Sequence, residues 1–163
     1  MSEKKFIELA PKLLDGDKLK NLLDFCEFLK GIKVQRGQSA AKNLGVSYYR
    51  REICSVRLGE DFWRITFFKD YYRRAKLFEK CEEYFTGELK AFILENINTA
   101  PGSVTSCKNC DTPKDKVILG RKFEAVCNCH QIVINNPDGK ALEYAKEIVS
   151  IAKNFIDDNN NNR

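Results

Sequence analysis

Four cysteines in two short clusters, Cys107-Lys108-Asn109-Cys110 and Cys127-Asn128-Cys129-His130, carry the clearest chemistry in this chain. Sixteen residues separate the two clusters. Zn²⁺ imposes no geometry of its own and accepts four thiolates at about 2.3 Å in a tetrahedron. Two close pairs let each of two backbone loops supply half of that shell. The spacing therefore predicts a zinc site at Cys107, Cys110, Cys127 and Cys129. The second cluster is CxC where a zinc ribbon usually has CxxC. That leaves His130, the only histidine, as an alternative fourth ligand in place of Cys129. A closed four-thiolate shell offers no open position to water, so the chemistry it implies is structural rather than hydrolytic.

Two other thiol chemistries compete with zinc. A dithiol at Cys107 and Cys110 could exchange disulfides, but such a pair usually opens a helix whose N-terminus acidifies the first thiol. Here the pair precedes a strand. Four cysteines could also hold iron or an iron–sulfur cluster, although the spacing matches no ferredoxin pattern. Hydrolytic and phosphoryl-transfer chemistry finds no support. The chain has no GxxxxGK[ST] loop, no HExxH and no GxSxG, and a single histidine for general-base work. Glu82-Glu83 and Asp157-Asp158 read as helix-surface charges. The enzyme question stays open, leaning towards none.

The ligand clusters need an element that returns the chain to its starting point. Lys116–Leu119 and Lys122–Val126, on either side of Gly120-Arg121, read as a tight β-hairpin between them. Ile132–Asn135 reads as a further strand, and Asn136-Pro137-Asp138-Gly139 as turn and cap. The last helix carries Leu142, Ala145, Ile148, Val149, Ala152, Phe155 and Ile156 on one stripe. The polar end, Asn159 to Arg163, has nothing to bury and is expected to be disordered.

Upstream, residues 4–14 read as a short helix that Pro11 interrupts or restarts. A second helix runs from an Asp17 cap to Lys30 with Leu19, Leu22, Leu23, Cys26 and Leu29 on its apolar side. Residues 37–45 are small and polar and read as a loop. Val46–Arg57 and Phe62–Phe68 are rich in aromatic and β-branched residues and read as a hairpin around Leu58–Asp61, with a second turn at Arg50–Glu52 extending it to a meander. A long amphipathic helix is expected over residues 75–97, with Gly87 inside it.

One tetrapeptide occurs twice, as Tyr48-Tyr49-Arg50-Arg51 and Tyr71-Tyr72-Arg73-Arg74. Aromatic faces beside guanidinium groups bind single-stranded nucleic acid by stacking and phosphate contact. Tyr48, Arg50, Arg51, Tyr72, Arg73 and Arg74 are therefore the candidate binding surface for such a partner. An uninterrupted hairpin would set Tyr48 near Tyr72, whereas a turn at Arg50–Glu52 would carry the first tetrapeptide back beside Cys54. Amphipathic tyrosines also serve half-buried sheet surfaces.

The net charge of +5 permits an acidic partner without requiring one, because lysines and glutamates are interspersed along the helices. No apolar run reaches the eighteen or so residues of a membrane span, and the first residues hold no uninterrupted apolar run of signal-peptide length. A cytosolic location follows, and seven cysteines, an odd number, fit poorly with a fully paired disulfide scaffold. The expected fold is a single α+β domain over residues 1–158. Its antiparallel sheet is covered by amphipathic helices, and a Cys-clamped, zinc-ribbon-like hairpin occupies the metal-binding segment 104–131.

Two stretches resemble known families. Ser47-Tyr48-Tyr49-Arg50-Arg51-Glu52-Ile53-Cys54, followed by Trp63-Arg64-Ile65, resembles the meander of small bacterial YdhG-like domains. The C-terminal pattern runs from Cys107-xx-Cys110 through Val117-x-Leu119-Gly120-Arg121-Lys122-Phe123-xx-Val126-Cys127 to Asn136-Pro137-Asp138. It resembles an uncharacterised family of small Cys-rich proteins from anaerobic Gram-positive bacteria. The resemblance implies an antiparallel sheet backed by helices and assigns no activity.

Overall fold

The computed structural model describes residues 3–40, 42–68, 77–98, 114–126 and 131–161. Helix α1 spans Glu3–Leu9, and Pro11 turns it into a 3₁₀ segment, Ala10–Lys12. Pro lacks an N–H and fits the first turn of a new helical segment, so the break falls where Pro11 dictates. Helix α2 spans Gly16–Gly31. Its preceding residue, in extended conformation, is Asp15 rather than the expected Asp17, which lies inside the first turn.

Four strands then form a continuous antiparallel meander: β1 Gln35–Ala40, β2 Asn43–Tyr48, β3 Arg51–Gly59 and β4 Phe62–Phe67. Strand β1 replaces the loop expected over residues 37–45. Its QRGQSA sequence has no apolar alternation, and edge pairing of its backbone to β2 defines it. The β3–β4 turn is the two-residue Glu60-Asp61, closed by the Gly59–Phe62 pair. Both residues of the β2–β3 turn, Tyr49 and Arg50, have positive φ, at 44° and 62°, as a tight hairpin turn requires.

The register sorts residues by face. Cys54, Val56 and Leu58 on β3 lie opposite Phe67, Ile65 and Trp63 on β4, and all six are buried. A bulge opposite Val46 and Ser47 adds Ile53 to the same buried side. The alternate positions make the other face: Gly45, Ser55, Thr66, Arg57 and Arg64 among them.

The long helix expected over 75–97 is broken. Helix α3 spans Leu77–Cys81, a 3₁₀ turn spans Glu82–Tyr84, and helix α4 spans Gly87–Glu95. Gly87 opens α4 at φ +55, a conformation no continuing α-helix contains. The apolar stripe survives the corner, since Phe78, Cys81, Phe85, Leu89 and Ile93 are all buried. The chain then makes the short strand β5, Ile97–Asn98, the hairpin β6 Lys114–Ile118 and β7 Arg121–Val126, and strand β8, Gln131–Asn135.

Strand β8 inserts between β4 and β5, giving a six-stranded sheet in the order β1-β2-β3-β4-β8-β5, with β6-β7 as a separate ribbon. Helix α5, Gly139–Asn161, lies across this sheet and touches β3, α2, α3 and α4. It buries Leu142, Ala145, Ile148, Val149, Ala152 and Ile156. Phe155 is only half-buried at its rim. The helix continues to Asn161, so the polar end, expected to be disordered from Asn159, is helical to that point. On α2 the buried set is Leu22, Phe25, Cys26 and Leu29; Leu23 is 36% exposed and Phe25 takes the central place against Trp63.

The sign of one substitution checks the break at Gly87. Open space surrounds a β-carbon there, yet positive φ strains any L-residue. Gly87→Ala should destabilise by about 1 kcal/mol in urea titrations. A continuous helix would instead gain about 0.5–1 kcal/mol from the same change.

Candidate functional site

The metal-ligand candidates Cys107, Cys110, Cys127, Cys129 and His130 lie outside the described residues, but the chain on either side of them is fixed. Hairpin β6–β7 turns through Leu119 and Gly120, at φ 50° and 77°, with Ile118 facing Arg121. This pair of positive φ values is the type I′ turn whose twist matches the strands. Ile118, Leu119 and Val126 are buried, and an Asp115–Lys122 ion pair at 3.3 Å spans the ribbon. At the open end of the ribbon Lys114 faces Val126, the neighbour of Cys127.

A second pairing closes the other side. Ile97 faces Ile132 and Asn98 faces Gln131, the neighbour of His130, while the Val133 amide donates to the Asn96 carbonyl at 3.0 Å. All four cysteines therefore lie on two segments, 99–113 and 127–130, that leave one paired strand end and arrive at another. Only five peptide units join Val126 to Gln131, so the two pairings stand at most about 18 Å apart. A hairpin is present between the clusters, as expected, but its turn is Leu119-Gly120 in place of Gly120-Arg121. Among the described residues, no group of three or more His, Cys, Asp or Glu side chains is placed to hold a metal ion.

The other three cysteines are a different population. Cys26, Cys54 and Cys81 are buried in the core. Burial, reinforced by Glu3, pushes the Cys26 thiol up to about 12. Burial and Glu83 take Cys81 to about 12, and burial with Glu52 raises Cys54 well above its ordinary value. Thiols held in their neutral form are poor nucleophiles and poor ligands. They act as small apolar residues.

The first Tyr-Arg tetrapeptide serves as a turn. Tyr48 faces Arg51 across it, and the chain reverses at Tyr49-Arg50 rather than running on towards residue 72. Tyr48 donates its hydroxyl to Asp157 Oδ1 at 2.7 Å, and Lys153 Nζ bonds Asp157 Oδ2 at 2.6 Å while sitting 4.7 Å from the Tyr48 ring centre. The ring is thereby committed to α5 and is not a free stacking platform. Tyr49, 59% exposed, stands edge-on to it with centroids 4.7 Å apart, and Arg50 is exposed. Tyr72, Arg73 and Arg74 lie outside the described residues. Asp157, which reads from the sequence as a surface charge, instead anchors the turn. The Tyr48-to-Asp157 separation of 109 residues left no local signal for that contact.

Two cavities open on the helical side. One, of about 610 Å³, lies beside the Leu119-Gly120 turn and is rimmed by Glu79, Glu82, Glu83 and Lys90. Burial raises the Glu82 carboxyl, against a hydrogen bond from the Leu119 backbone that lowers it. The other, of about 570 Å³, lies between α1 and α2 over Cys26 and Arg36. Arg36 is paired with Glu3 at 2.8 Å, and the thiol is neutral, so neither cavity presents an activated nucleophile beside a base. No described helix is long and apolar enough to cross a membrane. Comparison with protein-family models, with curated proteins and with solved structures finds no match.

The Tyr48–Asp157–Lys153 group gives a pH dependence of defined sign. Hydrogen bonds from Lys153, and then from Tyr48, hold the Asp157 carboxyl below its ordinary 3.8. A depressed carboxyl stabilises the fold above the unfolded value, and that contribution disappears as pH falls through the folded one. Urea midpoints measured between about pH 5 and pH 2 should fall less steeply in Asp157→Asn than in the parent. Equal slopes would show that the contact contributes nothing to folding.

Proposed function

We propose that the chain is a cytosolic zinc-binding protein of non-enzymatic type, in which Cys107, Cys110, Cys127 and Cys129 form a structural four-thiolate site. The carrying observation is the double bracket around the cysteines: Lys114 opposite Val126 on one side, Asn98 opposite Gln131 on the other. Both cluster-bearing segments are short relative to the circuit they must close. Residues 99–113 contain few side chains able to build a core, with Val104 the only large aliphatic one. Ordering such a stretch costs roughly 1–2 kcal/mol per residue in backbone entropy. A metal clamp can offset that cost where burial cannot.

The charge also fits. Four thiolates around Zn²⁺ carry two net negative charges. Lys108 lies within the first cluster, and Lys114, Lys116, Arg121 and Lys122 belong to the intervening ribbon. Cations near a thiolate favour its ionised form and so favour metal over proton. His130 remains the alternative to Cys129 on the short second segment. In this reading the metal fixes the register of β7 against β8 and makes the ribbon one rigid body with the sheet. The chain then acts as a binding module and belongs with the Cys-rich family that its C-terminal pattern resembles.

Protein purified without added metal should contain about one equivalent of zinc. Native protein should hide its thiols from a thiol reagent, chelation should release four, and the three core thiols should react only after denaturation. Cys107→Ser should lose the metal and lower the thermal midpoint. Cys129→Ser and His130→Ala, compared for metal content, identify the fourth ligand. Metal-free protein with four freely titrating thiols would refute the site. An unusually acidic Cys107 or Cys110 in that protein would instead indicate dithiol exchange.

A further inference from the structure

The face of the sheet turned away from the helices carries a row that the tetrapeptide motif does not include. Asn43, Arg57, Arg64 and Asn135 face one another in register across β2, β3, β4 and β8. Four strands at about 4.8 Å spacing set these side chains on one line roughly 14 Å long. Arg57 and Arg64 are direct cross-strand partners in a narrow, hydrogen-bonded pair, the class set by the Phe68 amide donating to the Ile53 carbonyl in the same ladder. Their Cα atoms are about 5.5 Å apart. Like charges directly opposite in a sheet repel, and natural sheets usually place an opposite charge there. No carboxylate pairs with either arginine among the described residues. The only acidic side chain that the register puts on this face is Glu52, beyond Ser55 and the bulge. The turn carboxylate Asp61 is held by Lys18 at 2.6 Å.

One row further along, Phe62 faces Gly59. Its ring lies over Gly59, 1.9 Å from where a β-carbon would stand, so a larger residue there would push the ring aside. Phe62 is half-buried and stands two residues from Arg64 on the same face. In the opposite direction the face is smooth, built from Gly37, Gly45 and Ser55. The two cavities described above lie on the helical side, away from this row. A flat strip of donors with an aromatic ring at its edge suits an extended ligand bearing repeated anions and planar rings.

We propose that this outer face binds single-stranded nucleic acid, with Arg57 and Arg64 straddling a backbone phosphate, Asn43 and Asn135 donating on either side, and Phe62 stacking a base. Arginine forks match phosphate geometry bidentately, and the shared phosphate removes the repulsion between the pair. Base–aromatic stacking tolerates any sequence, so the binding is of low sequence preference. The surface is independent of the cysteine site, and zinc content should be unchanged in every variant below.

Fluorescence anisotropy of a labelled, mixed-sequence single-stranded RNA with the full chain at about 50 mM salt provides the test. Arg57→Gln/Arg64→Gln should weaken binding at least about tenfold and flatten the log-affinity against log-salt slope by about 0.7, as expected for one lost phosphate contact on a single strand. Arg57→Lys/Arg64→Lys should retain the slope, and Phe62→Leu should lose affinity with the slope intact. Lys5→Ala/Lys20→Ala, exposed on α1 and α2 on the helical side, should bind as the parent does. Circular dichroism establishes that each variant is folded. Undetectable binding by the parent, an unaltered slope in the glutamine pair, or binding to anionic lipid vesicles in place of RNA would each overturn the proposal.

Discussion

Strand β8 holds the two halves of this chain together. It pairs with β4 through Ile134 opposite Ile65 and Ile132 opposite Phe67, and with β5 through Ile132 opposite Ile97. Each of these side chains lies on the helix-facing side, and Ile132 and Ile134 are buried there. Asn136 completes the join in both directions. Its amide donates to the Trp63 carbonyl at 2.8 Å, and its Oδ1 accepts from the Trp63 amide at 2.8 Å. Pro137 and Asp138 then launch α5, whose Leu142 amide bonds the Asp138 carbonyl. Remove that strand and the helix with the longest buried stripe loses its fixed starting point. The cysteine segments lose one of their two anchors by the same stroke.

The parts of this arrangement visible in the sequence are those written in turn chemistry or in helical period. Asn136-Pro137-Asp138-Gly139, the α5 stripe and the ribbon around Gly120 announce themselves through local residue type, although the ribbon turns one residue early because Leu119 takes a positive φ of 50°. Strand β1 does not, because an edge strand is held by backbone pairing. Its Arg36 points inward and meets Glu3 rather than an apolar neighbour. The helix break at Gly87 was hidden for a different reason. Leu77, Phe78, Cys81, Phe85, Leu89 and Ile93 keep the three- and four-residue spacing of one continuous stripe. A corner between two short helices buries the same set, so periodicity cannot distinguish the two.

Long-range polar contacts were equally silent. Tyr48 and Asp157, or Lys146 and Asp24, join residues more than a hundred positions apart, and neither end carries a local mark of its partner. The Tyr-Arg tetrapeptide shows the same silence, since its letters give no sign that the first copy is fastened to α5 through Asp157. Conversely, Arg57 and Arg64 carry no motif at all. Only strand register reveals that they stand side by side.

Charge placement separates the two sides of the sheet. On α5, Lys140 meets Glu88, Lys146 meets Asp24 and Glu143, and Lys153 meets Asp157. Lys140–Glu88 is exposed, whereas Lys146 and Lys153 are half-buried; exposed pairs contribute at most about 1 kcal/mol each, and together these contacts leave the helical layer locally neutral. The outer face has no such matching, and the β6–β7 ribbon is rich in lysine and arginine with two carboxylates, Asp115 and Glu124. A net charge of +5 spread evenly would say little about partners. Here Arg57 and Arg64 stand side by side on the outer face, near the half-buried Phe62. Charge is thus balanced by ion pairs along α5, whereas on the outer face two like charges share one cross-strand position.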